Sequence, residues 1–370
     1  MIRLYTLAAL TFLFGLLPTS VPAQQLTTTA SLITGHIPHD KLTGMKNTTR
    51  TLIRLLQENL TSDAPAPIWH GEYIAGRSSS HSLLSFGAQC SYYSSGTSTG
   101  SAKTAELLLL ANDLSPLLGH YIVNGKEYGT IKATITHRNG GLYFELPQPE
   151  PSEPTASTEP SGQPGPLSTS FWLIAADSNR LPYTPITRRE YLLEIRQQLI
   201  SDTLNIVTEW RKKIIVRPAA QQEAEKQREL QQLKTLYAGA DLAARTNIYL
   251  QNFTTDEAYL GQYLNTATFL QRTALRLIDS LLHTSAADLN RPAYLREQAP
   301  LFHGFADNLP GALLLVKPNP ASTNPYLGEE IPQFFLLGWR FDPADPFAAD
   351  LDRRLQDNLD GAKLREMLGK

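Results

Sequence analysis

The chain has 370 residues, 42% of them hydrophobic and 18% charged, with 25 Pro, 23 Gly and one Cys. Such a composition belongs to globular proteins and excludes disordered, collagen-like and disulfide-stapled classes. A formal charge of -2 leaves no global electrostatic case for an acidic membrane surface or for nucleic acid, so no nucleic-acid partner is expected.

Residues Met1 to Ala23 read as a secretory signal. Arg3 supplies the positive start, Leu7 to Leu17 the apolar stretch, and Val21-Pro22-Ala23 a small-residue cleavage site before Gln24. The apolar stretch falls short of the roughly 20 residues that cross a bilayer, and Pro18 ends it. Cleavage is therefore favoured over a transmembrane anchor. The mature protein is expected to be exported, to the periplasm or the extracellular space, with no transmembrane anchor left. Cys90 then has no partner for an internal disulfide, and its place in a strand-like run suits a small buried hydrophobe better than a nucleophile.

From Lys46 to Leu60, apolar residues at spacings near three and four predict an amphipathic helix. Between Ile68 and Asp177 the pattern changes to short apolar runs cut by turn formers. Strands are predicted at 69–74, 83–93, 105–111, 120–123, 128–137, 141–146 and 171–176. Asn124-Gly125 and Asn139-Gly140-Gly141 are hairpin signals, because both supply residues that tolerate positive φ. Pro147 to Pro166 is rich in Pro, Ser, Thr and Glu and cannot repay ordering by burial. It is either an interdomain linker or a disordered loop, placed at 147–170, within one sheet. The strand-like flanks favour the loop.

Thr187 and Glu190 form a capping box, which opens a long helix whose face carries Leu192, Ile195, Leu199, Thr203, Ile206, Trp210 and Ile214. A second helix begins near Pro218 and is almost wholly polar through Lys234, so Gln221 to Lys234 reads as a water-exposed arm. A third stretch, Thr254 to His283, repeats Leu260, Tyr263, Leu264, Ala267, Leu270, Ala274, Leu277, Ile278 and Leu281 on one face. Mutual burial in near-antiparallel packing would cover these stripes. Leu313 to Lys317 and Gln333 to Phe341 return to strand character, and a helical tail follows.

The resulting organisation is a signal peptide at 1–23, an α+β region at 24–186, a long-helix region at 187–284, and C-terminal strands with a helical tail at 285–370. The late strands either pair with each other or complete the first sheet. The expected fold class is α+β, a mainly antiparallel sheet with an inserted long-helix hairpin or bundle.

Two strings, Trp69-His70-Gly71-Glu72-Tyr73 with Phe86-Gly87-Ala88-Gln89-Cys90, and Ala111-Asn112-Asp113-Leu114-Ser115-Pro116-Leu117-Leu118-Gly119-His120 running into Asn124-Gly125-Lys126-Glu127-Tyr128, join Pro185-Ile186-Thr187-Arg188-Arg189-Glu190-Tyr191-Leu192 in a pattern. Together they resemble uncharacterised exported proteins of the Gram-negative Bacteroidota, over most of the mature chain. The resemblance implies a bacterial envelope address and no activity.

Chemistry-bearing residues are sparse. His70 and Glu72 share a strand face, and Asp113 and His120 frame the next turn, so a metal or acid/base cluster is conceivable there. Metal sites need three or four converging ligands, however, and HExxH, paired CxxC and EF-hand signatures are absent. Neither GxSxG nor SxxK accompanies the serine-rich stretches Ser78-Ser79-Ser80 and Ser94 to Gly100. No catalytic, cofactor-binding or metal-ligating residue is assigned, and no cofactor is expected. Arg211-Lys212-Lys213 and Arg217 complement the carbonyls at a helix C-terminus. Trp210, Trp339 and Tyr92 read as packing groups, with glycan contact by exposed aromatics as an alternative. The function expected is noncatalytic binding or assembly, with protein or self-association favoured. The alternative is a secreted hydrolase acting on glycan or peptide through His70, Glu72, Asp113 or His120.

Overall fold

A computed structural model describes residues 26–33, 37–60, 68–77, 83–93, 103–147, 167–177, 180–296, 301–307 and 309–370. The signal at 1–23 and most of the loop at 147–170 lie outside the described residues. In chain order the elements are β1 (Leu26–Ile33), α1 (His39–Leu60), β2 (Ile68–Arg77), β3 (Leu84–Tyr93), β4 (Lys103–Ala111), β5 (Gly119–Val123), β6 (Lys126–Ile131), β7 (Thr134–Arg138), β8 (Gly141–Glu145), β9 (Ser168–Ala175) and β10 (Tyr183–Pro185). The helices α2 (Arg188–Lys213), α3 (Ala219–Leu236), α4 (Gly239–Asn252), α5 (Asp256–Ala267), α6 (Phe269–Leu282) and α7 (Ala286–Leu289) come next. The chain closes with β11 (Tyr294–Leu295), β12 (Leu313–Pro318), β13 (Phe334–Phe341), α8 (Pro346–Asn358) and α9 (Gly361–Glu366). The fold is α+β.

The chain divides into two compact units, one of Met1–Tyr121, Tyr128–Pro185 and Asp307–Lys370, the other of Ile122–Glu127 and Ile186–Ala306. In the first, the larger sheet has the order β1-β2-β3-β4-β13-β9-β8-β7, and a smaller one the order β10-β12-β6-β5. In the larger sheet β1 runs parallel to β2, and every other neighbouring pair is antiparallel. The late strand β13 enters the middle of the larger sheet, with Trp339 opposite Leu107 on one side and Ser170 on the other. Its sequence explains the position: every residue from Phe334 to Phe341 except Arg340 is buried, as a strand covered on both faces requires.

One sheet face carries Phe86, Cys90, Leu107, Leu109, Trp172, Leu337 and Trp339, and packs with Met45 and Leu52 of α1, Leu351 and Leu355 of α8 and Leu364 of α9. Leu110, Phe144, Phe171, Leu173 and Leu336 alternate to the other face and are buried too. Both asparagine hairpins form as their chemistry dictates: Asn124 and Gly125 have φ of 51° and 71°, Asn139 and Gly140 of 47° and 77°, the signature of a type I′ turn. β8 and β9 are neighbours in register, Leu142 opposite Leu173, so the segment between them joins two strands of one sheet. β9 begins at Ser168, so the last part of the proposed loop is strand.

Several sequence expectations need correction. The run 128–137 is two strands, because the chain leaves the smaller sheet at Ile131 and joins the larger one at Thr134. α1 starts at His39, ahead of the expected Lys46. α4 was not anticipated: Gly239, at φ 58°, reverses the chain after α3, and its few large apolar residues make no continuous stripe. The stretch 254–283 is not one helix, since Thr268 (φ -104°, ψ 5°) ends α5 and starts α6. Within α6, Ala274 and Ile278 are buried, whereas Leu270, in its first turn, is 59% exposed.

In the second unit, Thr187 Oγ1 accepts from the Glu190 N–H at 3.1 Å and so caps α2, as the capping box predicts. α2 packs against α5 and α6, burying Leu192 and Leu199. α3 packs against α4 and keeps one buried residue, the polar Gln222.

Candidate functional site

The four residues singled out for chemistry are not brought together. Glu72 is exposed on β2 opposite Gln89, with His70 two residues before it opposite Ser91. Asp113 lies beyond the end of β4, where its carboxylate accepts from Ser85 Oγ and from the Ser115 N–H, each at 2.9 Å. Ser85 pairs with Gly76, four residues along β2 from Glu72, or about 13 Å at the rise of a strand. His120 is exposed on β5, in the smaller sheet. Asp113 thus serves as a turn and strand-end acceptor. Among the described residues no group of three or more His, Cys, Asp and Glu is placed to hold a metal.

Cys90 is 2% exposed within the sheet core, and burial pushes its thiol up to about 12. A thiol so shielded is no nucleophile at neutral pH. Trp339 and Trp172 are core residues. Trp210 packs its ring 4.3 Å from that of Tyr263, between α2 and α5. Trp339 and Trp172, at 0% and 1% exposure, offer no face to solvent, whereas Trp210 is half-buried. The serine-rich stretches 78–80 and 94–100 lie outside the described residues, as does the side chain of Tyr92.

A cavity of about 340 Å³ opens in the first unit, lined among others by Asp177, Arg180, Asn324 and Gln333. Its polar groups are largely spent on one another. Arg180 pairs with Asp177 at 3.7 Å, Gln333 Nε2 donates to the Asn324 carbonyl at 3.3 Å, and Ser322 Oγ donates to the Asn319 carbonyl at 2.7 Å.

A second polar group went unnoticed in the sequence. Asp352 lies on α8 beside the core positions Leu351 and Leu355, and burial raises its carboxyl above the usual range; Gln356 Nε2 donates to Oδ2 at 2.8 Å, while Oδ1 has no hydrogen-bond partner among the described residues. Nearby Tyr143 is also raised by burial, with the Arg138 guanidinium 4.6 Å above its ring. The signal was present in the helical phase, since Ala348, Leu351 and Leu355 set a buried stripe that Asp352 borders.

The helical unit holds the densest polar node. Arg217 donates to Asp256 through Nε at 2.8 Å, Nη2 at 2.9 Å and its backbone N–H at 3.0 Å, and pairs also with Glu225. Gln222 completes the junction: Nε2 donates to the Arg217 carbonyl at 2.6 Å, and Oε1 accepts from the Asp256 N–H at 2.8 Å. The loop after α2, the start of α3 and the start of α5 are thereby tied at one point. Arg217 was expected to cover carbonyls at the end of α2; it stands beyond that helix and binds carboxylates, because Ile214 to Arg217 form an extended linker that carries it to Asp256. Two cation–aromatic contacts brace the α3–α4 hairpin, Lys226 over Phe253 at 5.1 Å and Arg245 over Tyr237 at 4.1 Å.

Around that framework the surface is unusually oily. Of the fifteen exposed large apolar side chains among the described residues, thirteen belong to the second unit. They include Leu204 on α2, Leu236 on α3, Ile248 on α4, Tyr259 on α5 and Phe269 on α6, between 53% and 71% exposed. No protein-family profile, curated protein or solved structure matches the chain.

Proposed function

We propose that the protein is an exported, noncatalytic binding or assembly module whose helical unit docks another protein. The observation that carries this reading is the division of exposed apolar surface. Among the described residues the sheet unit leaves two large hydrophobic side chains in water, Leu309 and Tyr326, whereas the helical unit leaves thirteen. Exposed apolar groups gathered on one part of a molecule mark interaction surfaces more often than chance, because the cost of hydrating them is recovered when a partner covers them. Aromatic members such as Tyr259, Tyr263 and Phe269 are the residue types that anchor interfaces. The arm anticipated at Gln221 to Lys234 becomes one half of the α3–α4 hairpin, and its apolar contribution lies at Leu236 and on α4.

The envelope address rests on the reading of 1–23 as a cleaved signal and on the resemblance to exported Bacteroidota proteins. Fractionation of the producing cells followed by crosslinking and mass spectrometry tests both parts. The expected result is recovery outside the cytoplasm with intermolecular crosslinks concentrated at 186–306. Cytoplasmic recovery of the intact chain removes the address, and crosslinks confined to the sheet unit remove the docking role.

A further inference from the structure

The cavity of the sheet unit has walls that are fixed before anything enters it. Asn319 draws the loop after β12 onto the segment ahead of β10, its backbone N–H donating to the Pro182 carbonyl at 3.1 Å and its Nδ2 to the Leu181 carbonyl at 2.9 Å. Gln333, 7% exposed, ties the same loop further along, accepting from the Asn324 N–H and donating to the Asn324 carbonyl. At about 340 Å³ the space stands at the small end of the roughly 300–1,000 Å³ of ligand sites, which are mostly preformed in this way.

The bonds within the lining leave a defined set of groups for a ligand. Ser322 and Thr323 each give their hydroxyl hydrogen to a backbone carbonyl, of Asn319 and Pro320, at 2.7 and 3.0 Å, so both oxygens keep lone pairs that can accept. Arg180 meets Asp177 only through Nε at 3.7 Å, and its Nη groups have no partner among the described residues. The one guanidinium and the one carboxylate of the lining cancel, so a charged ligand meets repulsion beside attraction. Donors and acceptors standing side by side without net charge suit a group that does both. A hydroxyl donates and accepts, and two neighbouring hydroxyls of a sugar ring can accept from Arg180 while donating to Asp177 or to the Ser322 and Thr323 oxygens. Pro182 and Pro325 supply apolar wall for the C–H face of such a ring.

The rim carries an independent sign. Tyr326 is 94% exposed, the highest value among the large apolar side chains of the described residues. It follows directly on the lining residue Pro325, in a turn set by Asn324 Oδ1, which accepts the Tyr326 N–H at 3.0 Å. A bare ring beside a polar cavity is costly to hydrate, and stacking on a sugar recovers that cost.

We propose that this cavity binds a neutral saccharide, one ring seated between the Asp177–Arg180 pair and the Ser322–Thr323 hydroxyls with Tyr326 stacked on its apolar face. The site lies wholly in the sheet unit and is independent of the docking role of the helical unit.

Saturation-transfer NMR and titration calorimetry on the intact chain test it, with the methyl glycosides of glucose, galactose, mannose and N-acetylglucosamine as probes at about 10 mM, suited to a millimolar site. At least one glycoside is expected to bind. R180A and Y326A, at exposed positions, should keep the melting temperature of wild type and each weaken binding about tenfold or more. L309A removes the other exposed apolar side chain of the unit, outside the lining, and should bind like wild type. Failure of all the glycosides, binding that survives either R180A or Y326A, or an equal loss in L309A overturns the proposal. Inorganic phosphate or acetate binding in preference to every glycoside also overturns it, by assigning the cavity to an anion held on Arg180. None of these outcomes bears on the helical unit, so the docking reading stands or falls by its own crosslinks.

Discussion

Arg217 holds both carboxylate oxygens of Asp256, Nε to Oδ2 at 2.8 Å and Nη2 to Oδ1 at 2.9 Å, across an interval of 39 residues. The guanidinium keeps that carboxyl down at about 2. A carboxyl whose folded value is depressed contributes stability that is fully present above its unfolded value and lost as pH falls through the folded one. D256N is therefore expected to lower the melting temperature at neutral pH, with the gap to wild type closing between about pH 4 and pH 2. Thermal melts across that window check it, and a gap that stays constant in acid would show that the charge pairing is not its source.

Asn112 occupies the left-handed region at φ 61° and closes the end of the sheet. Its Nδ2 donates to the carbonyls of Leu84 and Ile331 at 3.2 and 2.9 Å, and Oδ1 accepts from the Gln333 N–H at 2.7 Å. N112A leaves three backbone groups unpaired at a buried site and should cost about 3 kcal/mol or more in urea unfolding. N112G should be less damaging, because glycine takes the same backbone conformation without a Cβ penalty. Equal losses in the two variants would assign the whole cost to the hydrogen bonds.

Burial raises the carboxyl of Asp352, so its sign is opposite to that of Asp256. The ionised form is penalised in the folded state, and wild type loses stability as pH rises from about 4, the unfolded value, through the raised folded one. D352N keeps an oxygen to accept from Gln356 and removes the charge. It should match wild type near pH 3 and melt higher at pH 7. A variant less stable than wild type at pH 7 would contradict the desolvation account.

Cys90, with its thiol pushed up to about 12 and 2% exposed, should ignore a thiol reagent at pH 8 until denaturant opens the core. One equivalent should then react, with the same midpoint as the loss of circular dichroism. C90A should cost about 1 kcal/mol through lost packing, with C90S worse because it buries a hydroxyl among apolar neighbours. Rapid labelling of the folded protein would refute this placement.

Much of the fold was legible because it depends on local chemistry. Thr187 and Glu190 announce α2, and the Asn-Gly pairs announce their turns, since each requirement is met within a few residues. The run Phe334 to Phe341 was legible as a strand, but its seat between β4 and β9 depends on partners more than 150 residues away. The break at Thr268 was hidden because the stripe of apolar residues continues through it in sequence while the helix does not. Asp352 and the Arg217 node were hidden for a related reason: a charged residue looks the same on the page whether water or a core surrounds it. The exposure of Leu193 and Ile200 on α2 was masked by the buried residues beside them, because Leu192 and Leu193, or Leu199 and Ile200, are adjacent letters that point to different sides of the helix.

The seat of β13 has a consequence for biosynthesis. Because β13 is made after the other strands of the larger sheet, β4 and β9 each keep an open edge until Phe341 has been made. A chain stopped short of that point holds two half-sheets with unpaired backbone and oily flanks, ready to join strangers edge to edge. Truncation before Phe334 should therefore yield aggregates rather than a smaller folded body.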